Sequence, residues 1–220
     1  KAENIKLCKE EFHRFGQSIQ LFKGVIDWFN LINDYGKTIG LEIEHYINSS
    51  GLKEMIEGTP IAKEFKKIYA CSYLYDKQGE AYWPAVAVNY TTKTQFLFRI
   101  NKGIESITNN RKINEYEEDE LRHIPFRNMI YFGDGETDIP CMNLVKDKGG
   151  HSIAVYDKQD NNKKKIINRL IKDKRVNFVC EADYSKNQEM HQIVMTILNK
   201  IKADNAFKLL LDKHQAKAFD

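Results

Sequence analysis

The chain is short of long apolar runs: its hydrophobic stretches are strand-sized pieces such as Phe178-Val179-Cys180, far below the roughly 20 residues that a bilayer-spanning helix needs. That excludes a transmembrane segment, and with it a membrane partner. Cysteine is also scarce. Cys8, Cys71, Cys141 and Cys180 lie tens of residues apart without paired spacing, which argues against a zinc knuckle and a disulfide scaffold and points to a reducing, cytoplasmic setting. Charge of one sign is lacking too. With 34 basic and 31 acidic side chains the net charge is only +3, and part of the basic excess sits in one stretch, residues 158–175, so general nucleic-acid binding is not expected. The lysines Lys163, Lys164 and Lys165 read as a solvated helix face. There is no internal repeat, no low-complexity linker and no signal peptide. The first residue is Lys1 rather than Met, so the sequence reads as a fragment of a longer protein.

What remains is 220 residues, 42% of them hydrophobic, enough for one sizeable core. Residues 1–18 carry Ile5, Leu7, Cys8, Phe12 and Phe15 at helical spacing, closing near Gly16. After Gly24 a second apolar stripe, with Trp28, Phe29 and Ile32, predicts a helix ending at Gly36. Alternation over residues 39–47 predicts a strand that stops in a turn at Asn48-Ser49-Ser50-Gly51. A helix interrupted at Gly58-Thr59-Pro60 comes next, then a hairpin of residues 68–75 and 80–90 around Asp76-Lys77-Gln78-Gly79. A helix over 94–107 precedes a charged excursion. Strands over 128–132, 152–156 and 177–182 then alternate with helices opening near Pro140, over 163–172 and over 190–201. This order predicts an α/β fold: a Rossmann-like, doubly wound, mostly parallel sheet with a β-hairpin insertion. Ligands of such sheets sit at the carboxyl ends of the strands.

Three such positions carry chemistry suited to a phosphate. Ser49, with Ser50 and Gly51, follows the first strand; Lys93 precedes a helix; Asp134 and Asp138 follow the strand that ends at Phe132. A hydroxyl and a lysine can hold phosphoryl oxygens, and carboxylates at a sheet edge suit Mg²⁺, which wants hard oxygen ligands. Each residue also has an ordinary reading. Ser-Ser-Gly is common turn chemistry, Lys93 is one of many surface-type lysines, and Asp-Gly is a frequent turn pair.

The string Gly133-Asp134-Gly135-Glu136-Thr137-Asp138-Ile139-Pro140 resembles the fourth motif of the haloacid dehalogenase superfamily of phosphohydrolases, of form GDGxxDxP. Ile47-Asn48-Ser49-Ser50-Gly51 resembles its second motif and Lys93 its third-motif lysine, with Lys102 as a weaker candidate. Leu21-Phe22-Lys23-Gly24-Val25 is similar to the return from the inserted cap in the phosphoserine-phosphatase-like branch. The resemblance covers residues 21–201. It implies an arrangement of cap end (1–20), α/β core lacking its first strand (21–203) and helical tail (204–220).

The first motif of that family, DxD, occurs nowhere in the chain. The resemblance places it before the cap, so the expected nucleophile and acid/base lie on a segment before Lys1, and this chain alone is expected to be inactive. It further implies a Mg²⁺-dependent phosphomonoester hydrolase working through an aspartyl-phosphate. Asp134 and Asp138 would serve the metal, while Ser49, Ser50, Gly51 and Lys93 would serve a small phosphorylated substrate. The missing segment is the expected partner. A non-catalytic phosphate-binding or regulatory module of the same fold stays open. A dinucleotide-binding domain is disfavoured, because no third glycine follows Gly133-x-Gly135 at the fingerprint spacing.

Overall fold

A computed structural model describes residues 7–217, so the first six residues of the expected first helix, the last three of the expected tail, and the side chains of Lys163, Lys164 and Lys165 lie outside the described set. The chain forms α1 (Lys9–Gln17), α2 (Val25–Ile39), β1 (Tyr46–Leu52), α3 (Lys53–Glu57), β2 (Lys67–Tyr75), β3 (Ala81–Val86), α4 (Lys93–Asn101) and α5 (Asn110–Asn114). It continues as β4 (Ile130–Gly133), α6 (Ile139–Asp147), β5 (His151–Tyr156), α7 (Asn161–Lys172), β6 (Phe178–Glu181) and α8 (Glu189–Ala216). Among the described residues no helix is long and apolar enough to cross a membrane.

The fold is mixed α/β, with two three-stranded sheets where the sequence predicts one: β1-β2-β3 and β4-β5-β6. The strand ladders are parallel except the β2–β3 hairpin, and Cys8 and Glu80 form an isolated antiparallel bridge. No ladder joins β1 to β4, yet the halves share two apolar layers. Neighbouring residues of β5 show this, since Ile153 points into one cluster and Ala154 into the other. The first cluster packs Trp28 and Phe29 of α2 with Met190 and Val194 of α8, and takes in Ile43 and Phe65 from the chain around β1 and β2. The second packs Phe96 of α4 and Met142 of α6 on Tyr69 of β2 and Tyr131 of β4. Helices thus cover both faces, and both layers span the gap between the half-sheets.

Several boundaries differ from the sequence expectation, each for a local reason. The helix after Gly24 runs past Gly36 to Ile39, because Gly40 adopts φ +76° and closes it with its N–H on the Gly36 carbonyl. The alternating residues Leu41 and Ile43 pack, partly buried, against the core but are unpaired in any ladder, so the strand begins at Tyr46 and includes the serines read as a turn. Helix α4 stops at Asn101 rather than residue 107, where Gly103 takes φ +67°. Helix α8 does not stop near residue 201 but continues unbroken to Ala216, so residues 204–216 extend the last core helix. The hairpin turn is as expected, while its second strand ends at Val86 and not at residue 90. Asp76 Oδ1 accepts the backbone N–H groups of Gln78 and Glu80, and Gly79 supplies the positive φ of the turn.

At the amino end of β1, Glu44 gathers Lys66, Tyr46 (2.5 Å) and His123 (2.8 Å). Burial would raise its carboxyl pKa, but Lys66, then Tyr46 and His123, hold it down to about 2, against an ordinary 4.5. A depressed carboxyl stabilises the fold above its unfolded pKa and loses that contribution as pH falls. Between pH 5 and 2, the urea midpoint of the wild type should therefore fall more steeply than that of Glu44→Gln. Parallel curves would show that Glu44 contributes no such linkage.

Candidate functional site

The residues that close on one another at the carboxyl end of the half-sheets are Lys93 and Asp138. Strand β4 ends at Gly133, where a Cβ would stand 2.6 Å from the Asp138 Cβ and 2.9 Å from Met142 Sδ, so only glycine lets the next turn fold down over the strand. A 3-10 turn over Glu136–Asp138 then leads into α6, with Pro140 in its first turn. Asp138 is carried inward by this turn. Lys93 arrives from the other half: Asn89 Oδ1 accepts the N–H groups of Thr91 and Thr92, turning the chain into α4 with Lys93 as its first residue.

There the Lys93 ammonium donates to Asp138 Oδ1 at 2.7 Å, across 45 positions of sequence. Both side chains are more than nine-tenths buried. The Tyr131 hydroxyl donates to the same carboxylate oxygen, also at 2.7 Å. Asn48, at the point where the β1 ladder with β2 becomes irregular, donates from Nδ2 to the Lys93 carbonyl at 3.0 Å and lies 3.9 Å from Cys141 Sγ. Its Oδ1 is buried and has no hydrogen-bond partner. Burial, then the Asp138 charge, raises the Tyr131 hydroxyl above its ordinary range, so it acts as a donor and not as a base. Burial pushes the Cys141 thiol up to about 11, which leaves it protonated near neutrality and unsuited to attack.

The other sequence candidates are disposed as follows. Asp134 is exposed, just beyond β4, and its charge bears on the Tyr184 hydroxyl. Ser49 is partly buried in β1 beside Asn48, its hydroxyl accepting the Gly51 N–H at 3.0 Å, while Ser50 and Gly51 are exposed. Lys102 stands at the far end of α4 and donates to the carbonyls of Ile113 and Glu115, away from Asp138, so the lysine that meets the carboxylate is Lys93. Asp138, expected to serve the metal, has its Oδ1 taken up by Lys93 and Tyr131. Among the described residues, no three His, Cys, Asp or Glu side chains cluster as a metal site.

Two contributors were missed in the sequence, Tyr131 and Asn48. The strand period held a signal for the first: Tyr131 and Gly133 share the buried face of β4, and it is over Gly133 that Asp138 folds. Asn48 held none, because its role depends on the distant start of α4. Tyr131→Phe removes one bond to a charged oxygen and should lower stability by about 1.5–3 kcal/mol in urea denaturation. An unchanged midpoint would mean the hydroxyl contributes nothing.

No known protein-family model matches the chain. An uncharacterized protein of Borreliella burgdorferi is 30% identical over 200 residues, an alignment covering 82% of this chain and 67% of that protein.

Proposed function

This chain belongs to one family with the Borreliella burgdorferi protein, and we propose that it is the electrostatic part of a phosphomonoester hydrolase of the haloacid dehalogenase type. The observation that carries this reading is the Lys93–Asp138 contact at 2.7 Å, since the resemblance expects these two residues at one phosphate site. The break between β1 and β4 adds support. Each has a neighbour on one side only, β2 and β5, while the core layers continue across. A strand bearing the absent DxD pair is assigned to that break, parallel to both neighbours, on a segment before Lys1.

In this reading an aspartate of that segment attacks phosphorus and a second protonates the leaving oxygen. Lys93 brings a positive charge to the phosphoryl oxygens, and Asp138, fixed by Tyr131, holds the ammonium in place. Ser49 contributes a hydroxyl beside it. Asp134 is the one exposed carboxylate of the pair, and it suits Mg²⁺ in the manner of sites built from one or two carboxylates and the substrate phosphate. The metal would neutralise phosphoryl charge when bound. The substrate class is a small phosphomonoester.

The closure of the buried pair favours a second reading, a phosphate-binding or regulatory module in which Lys93 and Asp138 hold the fold together. Release of phosphate from an aryl phosphate by a protein joining this chain to a DxD-bearing segment, with and without Mg²⁺, separates the two. No release across a broad panel of phosphate esters sinks the catalytic reading and leaves the module.

A further inference from the structure

Four consecutive residues of β2, Lys67 to Ala70, border one cavity of about 260 Å³. Side chains of a strand alternate between its faces, so four in a row can border one space only where that space looks onto the strand's edge. The edge concerned is the one away from β1. On that side β3 joins β2 only from Ser72 onward, with Ser72 opposite Val86, and these two residues also border the cavity. The cavity thus lies in the sheet plane, where a longer β3 would run. An open edge of this kind leaves backbone N–H and C=O groups without a ladder.

The surroundings shape that edge into a slot. Residues Glu105, Ser106 and Ile107 wall it, and they are held there by Arg99, 1% exposed, whose guanidinium donates to the carbonyls of Ser106, Ile107 and Asn109. Tyr69 and Phe96, stacked with centroids 4.8 Å apart, give it an apolar floor. Its rim carries two lysines: Lys53, which also reaches the Glu57 carboxylate at 3.4 Å, and Lys67, whose ammonium stands 4.0 Å from the Glu105 carboxylate, beyond hydrogen-bond range.

We propose that this slot docks a short, extended, acidic peptide, which adds to the open edge of β2 in line with β3. Its backbone would take up the unladdered groups of Lys67 to Ala70, one apolar side chain would rest on Tyr69 and Phe96, and its carboxylates would meet Lys53 and Lys67. Main-chain bonds supply affinity in such strand addition, and the flanking pockets supply selectivity. The site is separate from the Lys93–Asp138 pair and does not depend on the chain's being a phosphohydrolase.

The test is a nuclear magnetic resonance titration of the ¹⁵N-labelled 220-residue chain with a blocked pentapeptide, acetyl-DVDVD-amide. The expected result is a Kd below about 1 mM, with shifted amides and slowed exchange centred on Lys67 to Ala70. Of two versions N-methylated at alternate residues, at least one should bind about tenfold more weakly, because it loses the ladder donors. Lys67→Glu, at a partly exposed position, should also weaken binding about tenfold while leaving the remaining spectrum in place. Equal binding of both N-methylated peptides would mark a plain amphipathic cavity and overturn the proposal. So would equal binding of acetyl-KVKVK-amide, absence of binding up to about 10 mM, or a response centred on Ile130 to Gly133, which would put the peptide in the break between the half-sheets.

Discussion

On the proposed reading, Asp134→Asn in a protein joining this chain to a DxD-bearing segment should depress kcat for an aryl phosphate by about two to three orders of magnitude, the range seen when one preorganised charge-stabilising group is removed. Asp134 is exposed beyond β4, so the variant should still fold, as circular dichroism would show. The 220-residue chain alone should release no phosphate, because positioned charges can stabilise a phosphoryl transition state but cannot replace the attacking carboxylate. If the short chain turns over as fast as the long one, a residue within it is the nucleophile, and the roles proposed for Lys93 and Asp134 fail.

The second large effect concerns the buried pair. Lys93→Met leaves the Asp138 carboxylate with Tyr131 alone in a buried site, and Asp138→Leu strands the ammonium in the same way. Removing one partner of a buried pair costs about 3–5 kcal/mol, whereas replacing both with apolar groups of similar volume is often neutral. The double variant Lys93→Met/Asp138→Leu should accordingly regain most of the stability that either single change loses, a non-additivity that urea unfolding of all four proteins measures directly. On the proposed reading, that double variant joined to a DxD-bearing segment should be folded and inactive. Additive losses would show that the two side chains do not depend on each other; a folded and active double variant would remove both from the site.

How much of this could be read before the structure depended on the range of the interactions concerned. The hairpin was legible because its turn is local, a matter of Asp76 capping two N–H groups and Gly79 taking a positive φ. The start of β1 was not. Leu41 and Ile43 alternate as a strand would and are packed in the core as a strand's residues would be, but pairing with β2 begins only at Tyr46, and pairing is a property of the partner. The single sheet expected from alternating strands and helices is likewise divided, since strand order carries no assurance that each strand finds both neighbours within the same chain. At the site, Asp138 stood out through the motif string and Lys93 as a lysine before a helix. Asn48 emerged only when distant backbone came together, whereas Tyr131, seven positions from Asp138, was carried by the strand period alone.

The contact between α1 and α3 deserves a mechanical description. A Cβ on Gly16 would stand 2.0 Å from the Met55 carbonyl oxygen, and one on Gly58 the same distance from the carbonyl oxygen of His13, so the two backbones touch with no side chain between them. Packed interiors compress little and pass strain on. Helix α3 begins at the residue after β1, directly beyond Ser49 to Gly51. The joint therefore has no side chain that could rotate to take up a displacement: shifting α1 against α3 would have to move backbone.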